Sequence, residues 1–118
     1  MGSIKSDREN TTVNDFRLSE VRQLVTRLKA LNQLERVEYF KSISNNDLEI
    51  ITELLINVIK GNVPIPAKVF KILKRVRKYI YVLISNKISN QRKKRILYSL
   101  KGLKIISLIV PIVLNLLT

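Results

Sequence analysis

The residues in this 118-residue chain best placed to do chemistry are cations. Between Leu54 and Thr118 stand fourteen Lys or Arg and no Asp or Glu; residues 1–53 hold eight basic residues and all nine acidic ones, the last at Glu53. Five of the cations, Lys68, Lys71, Lys74, Arg75 and Lys78, recur at helical spacing, and four more, Arg92, Lys93, Lys94 and Arg95, are consecutive. A field without internal counter-charge draws a polyanion or an anionic membrane surface. Both cation types suit phosphate oxygens, Arg through its planar fork and Lys as a point charge. Only Asn90 and Gln91 beside the tetrad offer amides that could read adenine, so the contacts expected are to the phosphate backbone and not to a base sequence. Taken alone, the tetrad also fits a solvated charge run.

Other chemistries are poorly supplied. With no Cys and no His, the chain has no disulfide, no thiolate or imidazole metal ligand, and no histidine general base. Three glycines cannot build a glycine-rich phosphate loop, and no such motif occurs. Asp47, Glu49 and Glu53 lack the pattern of a calcium loop and read as a solvated helix face. Tyr39, Tyr79, Tyr81 and Tyr98 are scattered, without the paired aromatics of an RNA-binding sheet, and read as core or rim packing. The expectation is a non-enzymatic protein with no metal and no cofactor.

Helices must position these cations. Leu18, Val21, Leu24, Val25, Leu28 and Leu31 follow three-four spacing, with Ser19 as a cap. Asn32 and Glu35 form a capping-box pair before Leu34, Val37 and Phe40, a helix to about Ser42. Ser44 to Asp47 supplies caps for a third helix on Leu48, Ile51, Leu54, Leu55, Val58 and Ile59, which stops at Lys60, Gly61 and Pro64. After the extended connector 62–66, Pro66 opens a fourth helix to about Ser85. Its apolar face is Val69, Ile72, Leu73, Val76, Ile80 and Leu83, and its cationic face lies largely opposite. Ser89 caps a fifth helix carrying the tetrad and continuing through Ile96, Leu97 and Leu100. Cations in its first turns oppose the helix dipole, which local folding does not require.

The end of the chain is uncharged: Ile105, Ile106, Leu108, Ile109, Val110, Ile112, Val113, Leu114, Leu116 and Leu117, with Ser107, Asn115 and a kinking Pro111. This segment is short of the roughly 20 apolar residues of a membrane span. It fits a buried terminal helix and an interfacial, membrane-active peptide equally. The expected organisation is an all-α bundle of four to five helices with a hydrophobic tail or helix. Its parts are a disordered arm 1–14 without an apolar signal core, a neutral half 15–61, the connector 62–66, cationic helices 67–102 and the tail 103–118.

The order of these parts carries a family resemblance. Asn57-Val58-Ile59-Lys60-Gly61-Asn62-Val63-Pro64, a Lys/Arg-rich helix, Lys87-Ile88-Ser89 before Arg92 to Arg95, then a glycine and a proline-containing apolar tail resemble the small basic protein of Polinton (Maverick) elements and adintoviruses. That family has itself been compared with the adenovirus core protein X, the precursor of mu. The resemblance covers roughly residues 45 to 118. The chain departs from it at Lys101-Gly102-Leu103, where the family has Gly-Gly-Phe, and at Ile65-Pro66, where a Ser or Thr follows the first proline pair. The resemblance implies a cationic protein of the virion or host nucleus that accompanies double-stranded DNA, with membrane activity in its tail. Further partners to consider are an anionic membrane, capsid proteins and a second copy of the chain.

Overall fold

A computed structural model describes residues 18–117, so the arm expected over residues 1–14 lies outside the described residues. All of the regular structure described is α-helical. The first helix, α1 (residues 18–30), is already helical at Leu18, which places Ser19 inside it and not at its cap. It buries Leu24, Val25 and Leu28. Next is α2 (Gln33–Lys41), opened by the expected capping box: the Asn32 side chain accepts from the Glu35 N–H at 2.8 Å, and Glu35 accepts from the Asn32 N–H at 2.9 Å. Leu34 is 72% exposed, outside the apolar face the spacing assigned it, whereas Phe40 on that face and the following Ile43 are buried as expected.

Ser44 caps α3 (Asn45–Ile59), its hydroxyl accepting from the Asp47 N–H. The helix closes in a Schellman motif, with the Gly61 N–H donating to the Val58 carbonyl and the Asn62 N–H to that of Asn57. That closure needs the left-handed backbone of Gly61, whose φ is 80°. After the connector, Pro66 is the N-cap (φ −58°, ψ 146°) and not the first helical residue of α4 (Ala67–Arg75). At Val76 (φ −110°, ψ 12°) the chain leaves helical geometry for one residue and resumes as α5 (Arg77–Ile84). Ser89 then caps α6 (Asn90–Leu97), and α7 (Leu100–Leu117) completes the order.

The bundle therefore has seven helices among the described residues, not four to five. Two local events account for the difference. Val76 divides the expected fourth helix, and the turn at Tyr98 and Ser99 detaches Leu100 from α6 and gives it to the terminal helix. The terminal helix thus begins at Leu100, ahead of Gly102. Lys101 and Lys104 belong to α7, where both remain exposed while Leu103, Ile105 and Ile106 turn inward.

The core is continuous through all seven helices. The helix richest in charge, α6, packs on α2, α3, α5 and α7. The Asn90 amide donates to the Asn45 side chain at 3.2 Å, joining the starts of α6 and α3. Along α7 the buried positions Gly102, Leu103, Ile105, Ile106, Ile109, Val110 and Val113 form one stripe, and the helix continues through Pro111. Burial of each such Ile or Leu contributes about 1.5–3 kcal/mol.

Candidate nucleic-acid interface

The exposed stripe is built by the amphipathicity of α4 and α5. Leu73, Val76, Ile80 and Leu83 are buried in the core, and with them anchored, Lys68, Lys71, Lys74, Arg75 and Lys78 all face solvent. Among the described residues none of these five has a carboxylate partner. Two stand over aromatic rings: Lys74 Nζ is 5.6 Å from the Phe70 centroid and Lys78 Nζ 5.3 Å from that of Tyr79. Lys74 and Arg75 also fall in the last turn of α4, where positive charge complements the dipole. The arrangement is a row of hydrated cations on a rigid support, able to accept anionic oxygens without first breaking an ion pair.

The second cluster is not one surface. Arg92 and Arg95 are exposed and Lys94 is half-buried, but Lys93 is only 7% exposed, its stem enclosed where α6 meets its neighbours. No buried side-chain nitrogen or oxygen among the described residues lacks a partner, and the Lys93 ammonium makes no hydrogen bond or ion pair there, so it reaches water at the end of a buried chain. Four consecutive cations on a helix cannot share a face, which is why the run divides. The conflict expected with the dipole is also halved: α6 is eight residues long, so Lys94 and Arg95 lie in its last turn, where they are favourable.

The arginines of the neutral half do structural work instead. Arg36 Nε donates to the Leu28 carbonyl at the end of α1, and its Nη1 to Ser107 Oγ on α7, both at 2.9 Å. Arg22 Nη2 donates to the Leu117 carbonyl at 2.8 Å, neutralising the negative end of α7. Arg27 pairs with Asp47 at 3.6 Å, and Asp47 also accepts from the Tyr39 hydroxyl at 2.6 Å. Burial first, and then the Asp47 carboxylate, push the Tyr39 phenol well above its ordinary range.

The residues assigned to a tail are distributed by α7. Ile105, Ile106, Ile109, Val110 and Val113 are buried; Leu108, Ile112, Leu114 and Leu117 are half-buried; Leu116 is exposed. Sequence reasoning missed Arg77 and Phe70, and it assigned Tyr81 to core or rim packing. Arg77 is exposed at the start of α5. Phe70 and Tyr81, eleven positions apart, are 51% and 54% exposed on the rim of one groove. An aromatic on the polar side of an amphipathic helix was the available signal. No group of His, Cys, Asp or Glu able to hold a metal occurs among the described residues. No family model matches the chain, and no curated protein or solved structure is similar to it at a significant level.

Proposed function

We propose that this protein is a non-enzymatic cationic DNA-binding protein that contacts phosphates without sequence specificity, of viral or virus-derived kind as its family resemblance implies. The observation that carries the reading is the row Lys68, Lys71, Lys74, Arg75 and Lys78, exposed together, without carboxylate partners among the described residues, on helices whose other face is anchored in the core. Arg92 and Arg95 supply a second, smaller contact on α6. Because binding of this kind releases condensed counterions, its affinity is governed by salt. With about six phosphates neutralised, log affinity falls against log salt with a slope of about −5. Titrating duplexes of unrelated sequence at several salt concentrations tests this. A slope near zero, or strong preference for one duplex, refutes it.

A membrane-active role is the second reading, and α7 favours it: over its 18 residues the mean hydropathy is 2.0, long and apolar enough by composition to cross a membrane. That role requires α7 to leave a core in which seven of its residues are buried. Dye release from anionic vesicles by the intact chain tests it, and vesicles that stay sealed even after partial denaturation rule it out.

A further inference from the structure

Beside the cation row, α4 and α5 together with the end of α3 enclose an open groove of about 170 Å³. Its floor is the outer edge of the core at Leu73 and Ile80, and its rim carries the Phe70 and Tyr81 rings, each half exposed. Lys74 and Arg77 stand at the same groove, and no residue lining it is acidic. The two half-exposed rings leave apolar surface at the groove that a planar partner could cover.

We infer that this groove receives one unstacked base of a single-stranded nucleic acid, with Phe70 and Tyr81 offering ring faces and Lys74 and Arg77 taking the flanking phosphates. The inference rests on the phosphate-binding reading of α4 and α5 and adds to it a preference that duplex contacts cannot express. Charge complementarity selects the occupant. The cations at the groove belong to a larger set on the same two helices, which includes Lys68, Lys71 and Lys78, all exposed. Such a set matches the repeating charge of a continuous backbone better than the one or two carboxylates that flank an apolar anchor in an acidic peptide. Stacking of bases on aromatic side chains beside a basic track is the usual means of binding single strands without sequence choice.

The test compares three probes of equal length, about 20 nucleotides, by fluorescence anisotropy: a thymidine homopolymer, an abasic strand with the same phosphates, and a duplex. The intact chain should bind the thymidine strand at least about fivefold more tightly than the abasic one. In the Phe70→Leu, Tyr81→Leu double variant, which keeps apolar cover but removes both ring faces, that ratio should collapse to about one, with abasic and duplex affinities unchanged. Should the pair lower the melting temperature, Tyr81→Leu alone, at the more exposed ring, should still reduce the ratio. Equal affinity for the thymidine and abasic strands overturns the groove assignment while leaving phosphate binding intact, and leaves a protein partner as the groove's occupant. A preference that survives the double variant overturns it too. Failure of all three probes to bind removes the phosphate reading itself.

Discussion

Replacing Gly102 by Ala should destabilise the protein, although helix propensity alone says the opposite. In an open helix the change gains about 1 kcal/mol. Gly102, however, is buried where α7 crosses the end of α6. A methyl built there falls 2.6 Å from Leu97 Cα and closer still to the Ile96 carbonyl oxygen. Both obstacles are backbone, so no rotamer change relieves them. Carbon atoms rest about 3.5–4.0 Å apart, and α7 must therefore move roughly 1 Å from α6 along a stripe of buried side chains. Overpacking of this kind costs about 1–3 kcal/mol; two backbone contacts this short put Gly102 at the upper end, and after the propensity gain the net loss is about 2 kcal/mol. Urea denaturation followed by circular dichroism should show the midpoint fall with an unchanged slope, and the thermal midpoint should drop by roughly 4–10 °C. A variant as stable as the parent, or more stable, would refute the close crossing of α6 and α7. Gly61→Ala is the control: nothing lies within 4 Å of its added methyl, so any loss there comes from the positive φ, and Asn at that position should recover part of it.

Replacing Lys68, Lys71, Lys74, Arg75 and Lys78 by Gln should weaken duplex binding and flatten its salt slope by several units, with stability held within about 0.5 kcal/mol, as gel-shift and melting experiments would show. Within the tetrad the positions should differ: Lys93→Ala should lower stability through its buried stem, whereas Arg95→Ala should lower DNA affinity alone. Arg36→Ala, which leaves Ser107 and the Leu28 carbonyl without their charged donor, should cost about 1.5–3 kcal/mol by urea denaturation. The folded state holds the Tyr39 phenol protonated above its ordinary value near 10, so that contribution is complete below this pH and is lost as pH rises beyond it. Stability measured from pH 9 to 11 should fall less steeply for Tyr39→Phe than for the parent. Deleting residues 103–118 should leave an aggregating or unfolded chain, and a folded, monomeric product would show that α7 is dispensable to the core.

Much of the fold was legible because it is written in local rules. The Asn32–Glu35 box, the Ser44 and Ser89 caps and the Gly61 stop involve residues within a few positions of each other, so type and spacing suffice to specify them. The same holds for the stripe on α4 and α5: a helix of period 3.6 with Leu73, Val76, Ile80 and Leu83 inward must turn Lys68, Lys71, Lys74 and Arg75 outward. Helix count was not legible. The breaks at Val76 and at Tyr98–Ser99 carry no proline or glycine at the break itself. Equally hidden were the exposure of Leu34 and the burial of Ile50, which depend on which neighbour each helix meets.

What the sequence determined by itself was the presence of amphipathic helices, the caps at Asn32, Ser44 and Ser89, and a C-terminal half without a carboxylate of its own, because composition and near-neighbour spacing settle all three. The tertiary structure alone decided which cations are free to act. It turned Lys93 inward by packing α6 against four other helices, and it engaged Arg22 with the Leu117 carbonyl and Arg36 with Ser107, 95 and 71 positions away. It also closed a groove beside Phe70 and Tyr81 by setting the end of α3 against α4 and α5. Those outcomes depend on contacts between distant segments, and a one-dimensional pattern specifies the face of a helix but not the surface that face will meet.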